Sequence, residues 1–226
     1  MVRGLLEEEG IHNHAVRIEG MTRQSFTVSE VSGGRQYRFI LPGAPVREKE
    51  WQQVLMNLSI LADKLEYVII SGSPAPGIPK AFYSRAARIA ADLGALVIVD
   101  GSSEALLAAL EAGVYLIKPN LRELRQVTGN AVETEEAQEK AAMDLLGSGG
   151  SEVVVVSLGA AGALVASREG CERFRAPVVP IRSRVGAGDS MVAGLVLGLS
   201  RGLALRDAMH LGIAAGSAAV MTPEIG

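Results

Sequence analysis

Four short apolar runs mark the hydrophobic pattern of the chain. They are YVII at 67–70, ALVIV at 95–99, VYLI at 114–117 and VVVV at 153–156. Their apolar residues do not alternate with polar ones, a pattern typical of strands that are buried on both faces. We therefore predict a mostly parallel sheet that is flanked by helices.

Helical stretches precede the first three runs, over 48–65, 80–94 and 102–113, and the last two of them end at glycines. Glycine is common just beyond a helix because it adopts a left-handed backbone freely. Strands that alternate with helices predict a doubly wound α/β fold, here as a single domain over 1–226. Residues 24–41 differ, because two β-like runs joined by Ser-Gly-Gly predict a β-hairpin outside the main sheet.

Composition and charge exclude several classes of protein. Hydrophobic residues make up 48% of the 226 residues and charged residues 21%, as in ordinary globular proteins. The formal net charge of -3, without a cluster of Lys and Arg, argues against binding to nucleic acid or to a membrane surface. The lone cysteine, Cys171, cannot form an internal disulfide, and the apolar stretch at 211–221 is too short to span a bilayer. We therefore expect a cytoplasmic protein.

Polar or glycine-rich segments follow all four predicted strands. They are SGSPAPG at 71–77, DGSS at 100–103, KPNLRE at 118–123 and SLGAAG at 157–162. The carboxyl ends of parallel strands meet at one edge of a sheet, and open α/β sheets bind their ligands there. This edge is the predicted ligand site.

The segment VGAGDS, at 185–190, places a lone carboxylate where a glycine turn opens into an apolar helix. Gly186, Ala187 and Gly188 would let backbone N–H groups at a helix start cradle a phosphate. Asp189 beside them could accept a proton from an attacking hydroxyl. Alternatively, Asp189 is an ordinary helix N-cap, and the motif alone leaves both interpretations open.

Two further loops also have structural and functional interpretations. In KPNLREL, Asn120 and Glu123 have the spacing of a capping box, or they hold the water shell of a metal ion while Lys118 meets a phosphate. The segment SLGAAGALV, at 157–165, is a strand, a glycine turn and a second strand, or a loop that contacts a nucleotide. It is not a dinucleotide fingerprint, and the chain has no Walker A loop, so a nucleotide would bind by another scheme.

Together these segments are more specific than any one of them. In order, SGSPAPG, IVDGSSEAL, IKPNLREL, VVVSLGAAGAL, SRVGAGDSMVAG and GIAAGSAA resemble the ribokinase-like carbohydrate kinases of the phosphofructokinase B type. TRQSF and GGRQYRFILPGAP also resemble a subgroup that contains the minor 6-phosphofructokinase, 1-phosphofructokinase and tagatose-6-phosphate kinase. The resemblance covers essentially the whole chain.

The resemblance implies a role for each matching residue. Asp189 would be the catalytic base, and Gly186, Ala187 and Gly188 would form the anion hole for the transferred phosphoryl group. The predicted ATP site consists of Lys118, Asn120, Glu123, Ser157, Gly159 and Gly162. Asn120 and Glu123 would also order Mg²⁺ through water. The predicted contacts to the sugar phosphate are Arg23, Arg38 and Ser73, and the hairpin at 24–41 would form or border a small lid.

The chain also departs from the family pattern. Arg184 stands where the family usually has Thr or Ser. The family's opening strand, its glycine-rich sugar motif ending in Asn, its first lid strands and its final helix have no counterpart in the sequence. We therefore expect this chain by itself to have little or no sugar-kinase activity, although its nucleotide loops would retain weak ATP binding.

The resulting prediction is an ATP- and Mg²⁺-dependent kinase of a phosphorylated ketohexose, with fructose 6-phosphate converted to fructose 1,6-bisphosphate. Two alternatives within the family are 1-phosphofructokinase and tagatose-6-phosphate kinase. An alternative of another class is a truncated nucleotide-binding domain without catalysis. The full-length form is expected to be a homodimer, since family members commonly dimerise through the lid.

Overall fold

The central sheet of the protein has six strands in the described part of the chain. The computed structural model describes residues 2–30, 36–61 and 65–222. The sheet contains β3 (Tyr67–Gly72), β4 (Leu96–Gly101), β5 (Val114–Ile117), β6 (Ser151–Ser157), β7 (Ala163–Ser167) and β8 (Gly170–Phe174), side by side in chain order. The first four are parallel, and β7 and β8 are antiparallel to their neighbours. The mostly parallel sheet that the apolar runs predict is therefore confirmed.

Helices cover both faces of this sheet. The first layer contains α3 (Ala81–Asp92), α4 (Ser103–Ala112), α5 (Leu121–Thr128) and α6 (Glu135–Gly147). The second layer contains α7 (Ala187–Ser200) and α8 (Leu205–Met221), which follow the last strand. The doubly wound α/β class is confirmed, although the described strands advance across the sheet in one direction only.

Alternate residues of the strands supply the two cores. In β6, Val154 and Val156 are fully buried against the first helix layer, whereas Val153 and Val155 face the second. Strands whose two faces are both buried cannot alternate apolar with polar residues. This explains the continuous apolar runs at β4, β5 and β6. The prediction of two buried faces is wrong for β3, which lies at the edge of the described sheet and has Ile69 44% exposed.

Three elements precede the sheet: α1 (Val2–Glu8), the strand pair β1 (Ser25–Ser29) and β2 (Gln36–Ile40), and α2 (Glu48–Ile60). β1 and β2 are antiparallel, as the hairpin prediction requires, while residues 31–35 of the predicted turn lie outside the described part. α2 is shorter than the predicted 48–65. The backbone of Leu61 departs from helical geometry with ψ near 22°, and residues 62–64 lie outside the described part.

Small residues hold α7 close to α8. A β-carbon at Gly194 would lie 2.8 Å from the Ala215 β-carbon, and one at Gly212 would lie 2.8 Å from the Met191 carbonyl oxygen. Such short distances mean that larger side chains would force the two helices apart. A β-carbon at Gly216 would lie 3.0 Å from the Ala187 carbonyl oxygen, so α8 supports the first turn of α7. Within the described residues, no helix is long and apolar enough to cross a membrane.

Candidate active site

The carboxyl edge of the parallel strands gathers most of the predicted site residues. The amide of Lys118 donates to the Val99 carbonyl oxygen at 2.9 Å, which ties the segment after β5 to β4. The amide of Ser157 donates to the Pro119 carbonyl oxygen at 2.9 Å, which ties the same segment to β6. The residues from Lys118 to Asn120 are therefore fixed between two strand ends.

A buried ion pair lies at the centre of this edge. The Lys118 Nζ is 2.9 Å from Asp100 Oδ1, and the two side chains are only 7% and 15% exposed. Asp100 is near the end of β4. The same Nζ is 3.6 Å from the place that a β-carbon on Gly188 would occupy. The pair therefore places a positive charge beside the glycine turn of α7.

The charges of three neighbouring groups act on the Asp100 carboxylate. Burial raises the pKa of Asp100, and the Lys118 ammonium opposes this shift through its charge and its hydrogen bond. The negative charges of Asp189 and Glu123 also raise the pKa of Asp100, because they disfavour a further negative charge nearby. Asp100, Glu123 and Asp189 thus act electrostatically on one site.

The glycine turn before α7 has the geometry of an anion-binding nest. Gly186 is the N-cap of α7 with φ of 79°, a left-handed conformation that glycine adopts with little strain. Ala187, Gly188 and Asp189 follow as the first helical residues, whose N–H groups have no partner within a helix. The turn therefore presents several N–H donors together at the positive end of the helix dipole.

The structure decides between the two interpretations of Asp189 in part. The N-cap is Gly186, so the alternative that Asp189 is the N-cap is wrong. Asp189 is the third residue of α7 and is exposed. Within the described residues its carboxylate makes no hydrogen bond or ion pair, so it is free to accept a proton. Its catalytic role remains a prediction.

Asn120 and Glu123 form the predicted capping box at the start of α5. The Asn120 amide donates to Glu123 Oε2 at 2.9 Å, and the Glu123 amide donates to Asn120 Oδ1 at 2.9 Å. Within the described residues no three acidic, His or Cys side chains are grouped closely enough to hold a metal directly. The second carboxylate oxygen of Glu123 remains without a donor in this part of the chain. A role of Asn120 and Glu123 in holding Mg²⁺ through water therefore remains a prediction.

The loop after β6 is a strand, a turn and a strand. A short 3₁₀ turn at Gly159–Ala161 joins β6 to β7, and the Leu158 amide donates to the Gly162 carbonyl oxygen at 2.8 Å. Gly162 has φ of 100°, and a β-carbon there would overlap the Phe174 carbonyl oxygen. This glycine is therefore required by the fold itself. Ser157 pairs with Asn120 in an isolated bridge at the site edge, whereas contacts of Ser157, Gly159 and Gly162 with ATP remain predictions.

The structure leaves the predicted contacts to the sugar phosphate as predictions. Ser73 is exposed directly after β3, at the same sheet edge. Arg23 is exposed and lies before β1. Burial raises the pKa of Tyr83, and the nearby charge of Arg23 opposes that shift. The backbone of Arg38 pairs with Thr27 in the hairpin, but its side chain lies outside the described part. No described hydrogen bond or ion pair joins Arg23 or Ser73 to Lys118 or Asp189.

Asp100 is the residue that the sequence analysis missed. The segment DGSS is a predicted ligand loop, but nothing in its spacing links its aspartate to Lys118, eighteen positions later. The available signal was positional, because both residues end apolar runs that become adjacent parallel strands.

Comparison with known proteins gives the family. A model described as the pfkB family carbohydrate kinase matches residues 1–225 of the chain. The chain belongs to this family. This match confirms the resemblance that the order of the motifs along the chain indicated.

Relatives within the pfkB family have two kinds of name. The chain is 41% identical over 223 residues to ATP-dependent 6-phosphofructokinase isozyme 2 of Mycobacterium tuberculosis, covering 99% of this chain and 66% of the relative. It is 33% identical over 223 residues to 1-phosphofructokinase of Escherichia coli, covering 98% and 70%. The chain thus spans about two thirds of the length of the curated relatives that it matches.

The fold of the chain is also similar to that of solved structures. Phosphofructokinase-2 from Escherichia coli in complex with fructose-6-phosphate superimposes with a TM-score of 0.89 at 36% identity, over 97% of this chain and 72% of that chain. A pfkB-type, ribokinase-like α/β architecture is therefore established for this chain.

Proposed function

We propose that this pfkB-family chain carries the catalytic edge of an ATP-dependent sugar-phosphate kinase. Its substrate would be a phosphorylated ketohexose, with fructose 6-phosphate converted to fructose 1,6-bisphosphate. The observation that supports this most strongly is the Lys118 ammonium, whose Nζ is 3.6 Å from the β-carbon position of Gly188, beside the turn that leads into Asp189. Phosphoryl transfer needs an anion-binding nest, a cation and a base at one place, since positioning and charge stabilisation supply most of its catalysis.

The proposed step uses these groups in turn. Asp189 accepts the proton of the sugar hydroxyl while the hydroxyl oxygen bonds to the γ-phosphorus of ATP. The bond between that phosphorus and the β,γ-bridging oxygen breaks, and ADP leaves with the bonding electrons. The N–H groups of Gly186, Ala187 and Gly188 stabilise the charge on the transferred group, and Lys118 adds a positive charge. Asp189 then releases its proton to solvent.

The metal and nucleotide contacts belong to the same proposal. Asn120 and Glu123 would hold Mg²⁺ through water, and the ion would neutralise phosphate charge when bound. Ser157, Gly159 and Gly162 would line the nucleotide, because their loop begins beside Asn120. Arg23, Arg38 and Ser73 remain the proposed contacts to the sugar phosphate.

Fructose 6-phosphate is preferred as the substrate because of the order of similarity. The relative that is 41% identical is named a 6-phosphofructokinase, whereas the 1-phosphofructokinase is 33% identical. The structural neighbour that contains fructose-6-phosphate covers 97% of this chain. 1-Phosphofructokinase activity is the second candidate on the same grounds.

The hairpin of β1 and β2 is proposed to border the lid and to form a homodimer contact. The Gln36 side-chain amide donates to the Arg182 carbonyl oxygen at 3.2 Å, which joins the hairpin to the segment that leads into the glycine turn. One face of the hairpin carries Phe26, Val28, Tyr37 and Phe39, each about half exposed. A second copy of the chain could bury this apolar face. A cytoplasmic location, expected from the lone cysteine, also remains part of the proposal.

A coupled assay tests the proposal. ADP release is measured with ATP and Mg²⁺ for a version of the chain that is extended at both ends, across fructose 6-phosphate, fructose 1-phosphate and tagatose 6-phosphate, together with calorimetric titration of ATP. Turnover that is fastest with fructose 6-phosphate supports the proposal. ATP binding without turnover of any of the three would instead indicate the nucleotide-binding domain without catalysis. Failure to bind ATP at all would contradict both.

A further inference from the structure

We propose that Asp100 is a positioning residue, which holds the Lys118 ammonium beside the glycine turn so that it faces the terminal phosphoryl group of the nucleotide. This inference rests on the proposed function, because it assigns the nucleotide to that turn. Three observations carry it: the geometry of the pair, its burial, and the surrounding negative charge.

The geometry places both partners on rigid supports. The strand β4 carries Asp100, and its neighbour Val99 accepts the Lys118 amide hydrogen at 2.9 Å. This hydrogen bond joins the backbone of β4 to the segment that carries Lys118. The side chains of Asp100 and Lys118 then form an ion pair, with 2.9 Å between Nζ and Oδ1. Because the ammonium has three donors, it can keep the Asp100 contact and still donate to a phosphate at the turn.

Burial shows that the lysine is held in place. A lysine side chain normally extends its charge into water, since its ammonium is strongly hydrated and its stem is flexible. Here the Lys118 side chain is only 7% exposed, and its one ion-pair partner among the described residues is Asp100. Without that carboxylate, the ammonium would be drawn out toward solvent or toward the exposed Asp189. The carboxylate therefore selects one lysine conformation in advance of binding.

The surrounding charges explain why one carboxylate takes this role. Asp100 lies within electrostatic reach of Asp189 and Glu123, both of which disfavour its charge, whereas Lys118 favours it. Asp100 is more buried than Asp189, which is exposed, so Asp100 is poorly placed to meet a sugar hydroxyl. Its chemistry suits holding a cation better than accepting a substrate proton.

The experiment compares a triphosphate with a diphosphate. Titration calorimetry of this chain, at fixed Mg²⁺, measures binding of AMP-PNP and of ADP to the wild type, Asp100→Asn, Lys118→Met and the double variant. Asp144→Asn is the matched control, because it removes an aspartate that pairs with Lys140 on the exposed face of α6. Thermal unfolding of each variant reports whether it is folded.

The expected result is selective and depends on Lys118. Asp100→Asn should weaken AMP-PNP binding about tenfold, the order of one charge-assisted hydrogen bond, and leave ADP binding within about twofold. In the Lys118→Met background, Asp100→Asn should cause no further loss of AMP-PNP binding, because the group it positions is gone. Asp144→Asn should bind both nucleotides as the wild type does. If Asp100→Asn does not fold, Asp100→Glu, which keeps the charge but displaces it, should show the same selectivity.

Several outcomes would overturn the inference while leaving the proposed function intact. They are equal losses for AMP-PNP and ADP, no loss for either, or a loss that persists without Lys118. A loss that disappears when Mg²⁺ is raised would also overturn it, since Asp100 would then act on the metal. A wild type that binds neither nucleotide would overturn the inference and the proposed function together.

Discussion

At the scale of single residues, the proposed chemistry requires that the Asp189 carboxylate is free, while Asp100 and Glu123 have partners. Asp100 is paired with Lys118, and Glu123 accepts a hydrogen bond from the backbone of Asn120. Asp189 is exposed at the start of α7, next to N–H groups that have no helical partner. A carboxylate in that position is available to an incoming hydroxyl.

Replacing Asp189 tests this assignment. In a version of the protein that is extended at both ends, Asp189→Asn should lower the kinase turnover by about 10² or more, because general base catalysis contributes on that order. ATP affinity, measured by calorimetry, should change little. Asp207→Asn is a close control, since Asp207 lies at the equivalent third position of α8 and is also exposed. Equal effects of the two substitutions would mean that both carboxylates merely stabilise a helix start.

Glu123 allows a structural role to be separated from a role at the metal. Glu123→Gln keeps a side-chain oxygen that can accept the Asn120 amide hydrogen, so the cap should survive with a loss of about 1 kcal/mol or less. If Glu123 also orders Mg²⁺, the Mg²⁺ concentration for half-maximal ATP binding should rise. That concentration is measured by titration at fixed ATP, beside thermal unfolding. A lower unfolding temperature with an unchanged Mg²⁺ requirement would leave only the capping role.

At the scale of elements, the loop between β6 and β7 contains two glycines that differ in their surroundings. Gly162 has a left-handed backbone, and its α-carbon approaches the chain at Phe174 so closely that no side chain fits. Gly159 also has positive φ, at 62°, but nothing lies within 4 Å of a β-carbon placed there. The two glycines of one loop therefore differ in what they tolerate.

Alanine substitution should separate the two glycines. Gly162→Ala should destabilise the protein by more than about 2 kcal/mol, because backbone must move to admit the methyl group. Gly159→Ala should cost only about 1 kcal/mol, the strain of a left-handed residue with free space around it. Denaturant unfolding of the two variants gives both values. Similar losses would contradict the close approach at Phe174.

Helices and strands were more predictable from the sequence than the contacts between them. The buried strands were predictable because continuous apolar runs leave few alternatives, and β5 has the predicted bounds of 114–117. The glycine turn predicted a helix start at this place, but α7 begins at Ala187, so Gly188 lies inside the helix. The Asp100 contact was not predictable, since it depends on which strands become neighbours. Gly162 was placed in a turn, but its exclusion of a side chain depends on β8 folding back beside it.

At the scale of the whole molecule, the sheet lies between two helix layers, and the proposed active site lies at the sheet edge where both layers meet the strands. α5 supplies Glu123 from one layer, and α7 supplies Asp189 from the other. The family and the edge could be inferred from the order of the motifs along the chain. The distances between side chains at this edge could not be inferred from the sequence, because they depend on where each helix begins relative to the ends of the strands.

The hairpin should govern the association of whole molecules. Phe26 stacks on Phe39 with ring centroids 5.0 Å apart, and the next directly opposed pair, Val28 and Tyr37, lies on the same face. These side chains are 48–51% exposed, so a second copy that covers them would remove a continuous apolar surface from water.

We therefore expect a dimer of about twice the 23.7 kDa chain mass in light scattering coupled to gel filtration. Phe26→Ser should shift the protein toward the monomer at the same concentration, because it places a hydroxyl in the centre of the buried face. Val178→Ser changes an apolar residue that is fully exposed and lies outside the hairpin, so it should leave the mass unchanged. A wild type that stays monomeric, or a dimer that is indifferent to Phe26→Ser, would show that the hairpin face is not the contact. In either case the catalytic proposal would stand, since Asp189 and Lys118 both lie at the sheet edge and not on the hairpin.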